Sequence, residues 1–571
     1  MKYSRRYIAF TLIIAMTFLT NFYIYGKDRS QVGRFRGASL EADTWSPLVA
    51  DDVNSGVIHV YIDNKEYTSE DYNFYMDSKR SIMVPVSIIR DALNCSIHVY
   101  DDSELLVEKR SLSAQMTLDN TRAKSGEDSV KITSPFTKVS GEYYVSLNDL
   151  SKLLGYSYSF DIQSKSIKAA DESDNASIVP AKYDLREKKR VTKIRNQGTY
   201  GTCWAFAAIS SLESSLMPEK SMTFSVDNMT LDNSFAVTRN TGGSYTMGMA
   251  YLAAWQGPIY EKDDPYADDK INKDAEAVMH VQQMQVIAGK DYERIKEAVF
   301  KYGGVQTSLY STLKSSQAYS PYYNRKNNAY CYIGTEKPNH DVVIVGWDDN
   351  YPASNFNVEL EGDGAFICQN SWGKKFGDDG FFYVSYYDTN IGTHNVAYTD
   401  VQPADNYDNI YQSDLCGWVG SIGIGINKES IYGANVFKAK SDEAIKAAAF
   451  YATGPDTSYE VYAVKNFKDK SSLTDRTKVA EGRFDNAGYY TVDFTNSINV
   501  SKGEKYAIVV YLSTPDSNSP MAIEYDSGES YFSSIDLEDG EGYISSNGRN
   551  FENVKKNNKC NLCIKAFSDN R

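Results

Sequence analysis

The stretch that most constrains this chain runs from Ile194 to Glu213, Ile-Arg-Asn-Gln-Gly-Thr-Tyr-Gly-Thr-Cys-Trp-Ala-Phe-Ala-Ala-Ile-Ser-Ser-Leu-Glu. Gln197 precedes a turn-rich Gly198–Gly201 segment, and Cys203 stands where a helical pattern begins. From Trp204 onward Ala205, Ala207 and Ala208 are strong helix formers, while Phe206, Ile209, Leu212 and Leu216 recur at helical spacing. A thiol at a helix N-terminus meets the positive end of the macrodipole, which favours thiolate over thiol. A nucleophilic cysteine needs that environment.

This stretch resembles the nucleophile segment of papain-family cysteine peptidases. Tyr200 stands where that family usually has a disulfide-forming Cys, and Thr202 replaces Ser or Ala. The lost disulfide implies an active-site wall held by packing alone. Downstream, Lys337-Pro-Asn-His-Asp-Val-Val-Ile-Val-Gly346 puts His340 at the head of an apolar strand, 137 residues after Cys203. The family window is about 130–150. Gly364-Ala-Phe-Ile-Cys-Gln-Asn-Ser-Trp-Gly373 then matches the family's Asn-Ser-Trp-Gly.

The resemblance implies a site made of Cys203 as nucleophile, His340 as base and acid, and Asn370 orienting the imidazole. Trp372 would shield the His340–Asn370 bond, and the Gln197 amide would join the Cys203 backbone N–H in stabilising an oxyanion. Asn240-Thr-Gly-Gly-Ser-Tyr245 resembles the family's Gly-Gly segment. Gly242 and Gly243 would let an extended substrate backbone approach, with Tyr245 beside the adjoining side-chain pocket. Asn339 replaces the frequent Asp before the histidine. Cys368, on the strand before Asn370, reads as a buried structural thiol. His280, in a helical Asp274–Val286 pattern, and His394 carry no motif and read as structural or exposed.

The 571-residue chain has room for several cores, and the expected fold class is α+β multidomain. Lys2, Arg5 and Arg6 lead an uncharged, mostly apolar run from Tyr7 to Tyr25. Residues 1–27 are therefore a signal peptide or a membrane anchor, both placing the rest outside the membrane, extracellular or at the cell surface. A polar linker follows over 28–55.

Next, Val84–Val99 aligns without gaps on Val145–Phe160, an offset of 61. Each unit reads as strand, short helix, strand, with helices over Ser87–Leu93 and Asn148–Leu154, Asn148 as N-cap and Gly155 as C-cap. Strands Val57–Tyr61 and Glu104–Val107 complete a small α+β domain over 56–170. It resembles the copper amine oxidase N-terminal-like module of bacterial surface proteins. No copper is expected, because His59 and His98 sit in strand patterns without a supporting cluster. This domain takes the place of the charged helical propeptide usual in the family. It invites the hypothesis that residues 56–178 act as an inhibitory or chaperoning prosegment.

Val179-Pro-Ala-Lys-Tyr-Asp-Leu-Arg186 resembles the start of a mature papain-like domain, expected over 178–402 with a helical subdomain and an antiparallel β subdomain. A helix is expected over Phe224–Leu231. Over 405–571 short alternating segments (431–437, 459–464, 489–494, 506–511, 562–567) read as a β-sandwich or jelly roll. This part resembles the lectin-like domain of clostridial-type surface cysteine peptidases, which implies cell-wall glycan as a partner. Calcium there stays open; otherwise no cofactor and no metal at the catalytic site are expected.

Seven Cys in so long a chain do not make a disulfide scaffold, and the odd count leaves at least one thiol unpaired. Cys560-Asn-Leu-Cys563 has no partner pair for zinc and reads as a strand cysteine pair open to disulfide bonding elsewhere. The net charge of -15 argues against nucleic acid as a partner. The resulting expectation is an endopeptidase acting on protein or peptide substrates through a thioester. The alternative is a surface adhesin or wall-binding protein whose peptidase domain scaffolds or processes itself.

Overall fold

The computed structural model describes residues 57–571, apart from 63–64, 80, 111, 127, 162–165, 172–178, 269, 314–318 and 426–427. The N-terminal basic and apolar segment and the linker lie outside the described residues. Among the described residues no helix is long and apolar enough to cross a membrane. The chain divides into two compact units, one ending at Pro180 and the other beginning at Ala181.

In the first unit the repeat appears twice. Strand Ile82–Pro85, helix Val86–Ala92 and strand Ser96–Tyr100 are followed by strand Glu142–Ser146, helix Leu147–Leu153 and strand Tyr156–Asp161. The leading strands of the two copies pair antiparallel, Val145 opposite Val84. Equivalent positions bury equivalent side chains: Ile89 and Leu150, then Leu93 and Leu154, all enter one core. The N-cap is Ser146 rather than Asn148: its hydroxyl accepts the Asp149 N–H at 3.2 Å, because the helix starts directly from the strand end. Asn148 falls inside the first turn. Gly155 follows the helix with φ of +75°, the left-handed position glycine takes there. His59 Nδ1 lies 2.8 Å from Glu66, and His98 is buried within its strand.

The second unit is built around α1 (Cys203–Leu216). Twelve of its side chains are buried, from Trp204 to Leu216, so the helix is covered on all sides rather than along one stripe. α2 (Val226–Leu231) and α3 (Tyr245–Ala253) flank it, with β3 (His340–Asp348) and β6 (Asn395–Pro403) on the sheet it packs against. Its buried Glu213 meets Arg195 at 3.1 Å and accepts the Phe224 N–H at 2.8 Å.

The sheet comprises β1 (Met279–Ile287), β2 (Val305–Leu309), β3, β4 (Ala365–Gln369), β5 (Phe381–Ser385) and β6. Its order across this region is β5-β4-β3-β2-β6-β1. His280 is therefore on a strand, not in the expected helix. β1 is hydrogen-bonded along both edges, to β6 and to β8 (Ala487–Val500), and this non-local pairing overrides the local helical pattern. His280 is buried, stacked 3.6 Å from the Trp255 ring, with Nδ1 2.6 Å from Asn406.

Beyond β1 the same sheet continues through β8, β7 (Glu443–Ala452) and β9 (Ile564–Asn570). A second antiparallel sheet, including Ser430–Lys438, Thr457–Val464 and Lys505–Ser513, lies against it. The two sandwich a core of Ile431, Val461, Ile508, Phe450, Val492 and Ile564. Four of the five expected alternating segments fall in these strands; of the fifth, 562–567, residues from Ile564 onward lie on β9, while Leu562 belongs to a separate short strand, Asn561–Leu562. All seven cysteines are free, so the Cys560–Cys563 pair is not disulfide-bonded; both thiols are buried, and Cys563 donates to the Gly417 carbonyl at 3.2 Å. Cys368 is buried.

Candidate active site

Cys203 is the first helical residue of α1, and its side chain is partly exposed. The Gln197–Thr202 turn, with Gly198 at φ of +66°, brings the chain into the helix head. The Asp341 backbone N–H acts on the thiol, which places it against the peptide that follows His340.

His340 opens β3. The register sets Leu309 opposite it on one edge and, on the other, Gln369 opposite Val343, so the chain leaving β4 returns past the imidazole. Asn370 Oδ1 lies 2.9 Å from His340 Nε2 and also accepts the Ser371 N–H at 2.8 Å. Because a backbone donor already addresses that oxygen, Nε2 is the protonated nitrogen and Nδ1 is left as the acceptor. Trp372 stacks on the imidazole, centroids 4.6 Å apart and planes at 29°. Asn339 ties the preceding residue down, accepting the Ser311 N–H at 2.7 Å and donating to its carbonyl at 3.1 Å.

Gln197 is tied to the same loop. Its N–H donates to the Ser371 carbonyl at 2.8 Å, and its Oε1 accepts the Ser371 hydroxyl at 2.6 Å. Nε2 donates one hydrogen to the Tyr200 carbonyl at 2.7 Å, and the amide carries a second N–H.

The wall at Tyr200 is not held by packing alone. The Tyr266 ring lies edge-on to Tyr200, and its hydroxyl bridges Thr202 Oγ1 at 2.7 Å and the Gln197 carbonyl at 3.0 Å. Arg239 sits over the Tyr200 ring, accepts the Gly201 N–H on its carbonyl, and forms a two-pronged ion pair with buried Asp227 at 2.6 and 2.9 Å. Hydrogen bonds and a buried ion pair stand where a disulfide would.

Gly243 lies on the Trp204 indole, so close that a Cβ there would fall 2.4 Å from the ring. Gly242 has φ of +80°. Tyr245 begins α3, and its ring centroid is 5.3 Å from that of His394.

Burial pushes the Cys203 thiol up to about 12, and the Asp341 charge adds to the rise. Backbone N–H groups of Asp341, Trp204 and Cys203 oppose it. Burial pushes His340 down to about 4 against the Asn370 bond. Each group alone thus favours its neutral form. A proton passed from Sγ to Nδ1 instead creates two opposite charges together, which the helix N-terminus and Asn370 stabilise.

Two neighbours of this site carry no sequence motif. Asp341 follows His340, is partly exposed, and its carboxylate accepts from Ser308 at 2.7 Å and Gln306 at 2.9 Å. His394 is the second. A charged residue directly before the apolar Val342–Val345 run was the available signal for Asp341; none marked His394. Among the described residues no group of three or more His, Cys, Asp or Glu is arranged to hold a metal.

Residues 179–401 match the family model for papain family cysteine protease, 61–169 that for the copper amine oxidase N-terminal domain, and 410–568 that for a lectin like domain. Cathepsin S of Bos taurus is 30% identical over 233 residues, covering 39% of this chain and 64% of that protein. This chain spans less than two thirds of the length of the curated relatives it matches.

Two solved structures share more of its architecture. A variant of the clostridial cysteine protease Cwp84 after propeptide cleavage superposes with a TM-score of 0.61 at 28% identity, covering 68% of this chain and 99% of that one. The cysteine protease and lectin-like domains of Cwp84, a surface layer associated protein of Clostridium difficile, give 0.60 at 27% identity, covering 70% and 90%. Residues 179–401 are thus a papain-family cysteine protease domain, set between a copper amine oxidase N-terminal domain and a lectin-like domain.

Proposed function

We propose that this chain is a cell-surface cysteine endopeptidase that hydrolyses protein substrates through Cys203, His340 and Asn370. The observation that carries the reading is the Asn370-bound, Trp372-covered imidazole of His340, whose strand meets the helix that Cys203 begins. The chemistry follows from those positions. His340 Nδ1 takes the thiol proton, and the thiolate attacks the scissile carbonyl carbon. The carbonyl oxygen becomes an oxyanion, met by the Cys203 N–H and the free Gln197 N–H; loss of one such donor typically costs on the order of 10²–10³ in rate. The intermediate collapses as His340 gives its proton to the leaving amine, leaving a thioester on Cys203. His340 then takes a proton from water, whose oxygen attacks the thioester and releases the acid and the thiolate.

Surface location rests on the basic and apolar N-terminal segment and on the description of Cwp84 as surface layer associated. The lectin-like match is compatible with an association with wall glycan. The test is cleavage of a denatured protein by the full chain and by Cys203→Ala. Loss of all cleavage with Cys203→Ala, and with thiol alkylation, is expected; residual cleavage by the variant would sink the reading. An adhesin with an idle protease domain would show no cleavage by either.

A further inference from the structure

We propose that Asp341 forms the acidic floor of the substrate side-chain pocket beside Cys203, selecting a basic side chain on the acyl side of the scissile bond; this rests on the peptidase reading above.

Cys203, Asp341, Tyr245 and His394 are each partly exposed. The β2–β3 register sets Ser308 opposite Asp341, one residue along the strand from His340 and therefore on the opposite strand face from the imidazole. Gln306 Nε2 donates both to the Trp204 carbonyl at 3.2 Å and to Asp341 at 2.9 Å, which sets the carboxylate near the residue that follows Cys203. Tyr245 in turn packs against His394, closing the far side. The segment just before α3 is Gly242–Gly243, where a substrate backbone lying against the glycines would deliver its acyl-side residues to this cluster.

The charge of Asp341 is not balanced from within. Ser308 and Gln306 donate neutral hydrogen bonds, and among the described residues no Lys or Arg forms an ion pair with it. Arg195 lines a small cavity with Asp341, but its two terminal nitrogens go to the Phe224 carbonyl and to Glu213, and it forms no ion pair with Asp341. A guanidinium carries five N–H donors in a planar fork, an ammonium three, and an aliphatic side chain none. A partly buried carboxylate lacking a cation stabilises the first two and is desolvated without recompense by the third.

The experiment uses the full chain and peptide substrates identical except for Arg, Lys, Leu or Glu at each of three positions before the scissile bond. At one position kcat/KM is expected to fall in the order Arg, Lys, Leu, Glu, with Arg over Leu by about tenfold. Asp341→Asn is expected to bring the Arg-to-Leu ratio close to one while the Leu peptide is still cleaved. A wild-type preference for Leu at every position, or an unchanged ratio in the variant, overturns the proposal. If Asp341→Asn does not fold, the wild-type ranking together with Asp341→Glu, expected to keep the basic preference, decides. Cleavage of no peptide by wild type overturns the peptidase reading itself and this proposal with it.

Discussion

Trp372 lies over the imidazole of His340, 4.6 Å between ring centres, while Asn370 holds the same ring by its edge at 2.9 Å. One residue fixes the ring's direction and the other keeps water from its face. Trp372→Ala is therefore expected to lower kcat/KM on the order of tenfold to a hundredfold, through a misdirected base. A structural readout separates this from unfolding. In Cys203→Ala, where His340 titrates alone, NMR should place its midpoint near about 4. Adding Trp372→Ala should move that midpoint up toward the ordinary histidine value, since burial is what lowers it. An unmoved midpoint would remove the indole from this role.

Tyr266 supplies the tie that the absent disulfide does not. Tyr266→Phe keeps the ring against Tyr200 and removes the hydroxyl bridging Thr202 and the Gln197 carbonyl. The expected cost is about 1–2 kcal/mol in denaturant unfolding, with a fall in kcat from a loosened Gln197 turn. Wild-type stability and rate in this variant would show that packing suffices.

Glu213 gives a pH signature in stability. Burial pushes its carboxyl up to about 7, with Arg195 pulling the other way. Unfolded, the group loses its proton above its ordinary value of 4.5, whereas folded it keeps the proton to about 7. The unfolded chain thus binds fewer protons in that window, and stability falls as pH rises through it. Glu213→Gln keeps an acceptor for the Phe224 N–H and should flatten the fall between 4.5 and about 7 relative to wild type. Parallel wild-type and variant profiles would show the carboxyl to be ionised in the folded state.

The first compact unit occupies the chain position of a prosegment. A chain beginning at Ile178 should fold and cleave faster than the full chain if residues 56–178 restrain the protease. Equal rates from a folded shorter chain would exclude inhibition and leave a chaperoning role to be read from refolding yields.

Much of the site was legible because its parts are local. Cys203 heads a helix whose Ala-rich pattern is written in adjacent residues, and His340 opens an apolar strand. The repeat was legible for the same reason: Ile89 and Leu150 occupy one register and bury alike. What escaped depended on partners distant in sequence. The strand at His280 exists because β6 and β8 flank it, the latter about two hundred residues away. The Tyr200 wall depends on Tyr266, Arg239 and Asp227, none of which neighbours it in the chain. The cap at Ser146 moved by two residues because the preceding strand, not the helix pattern, decides where the turn begins.

The sheet that passes from β6 through β1 to β8 leaves no hinge between the protease and the C-terminal sandwich. Backbone hydrogen bonds, with Val286 opposite Ala487 and Gln283 opposite Tyr490, weld the two at their seam. If the sandwich holds a surface ligand, as the proposed function has it, that ligand would set the bearing and reach of the thiol. Such an enzyme would choose its targets by address as much as by sequence, cutting what stands at one fixed height from its foothold.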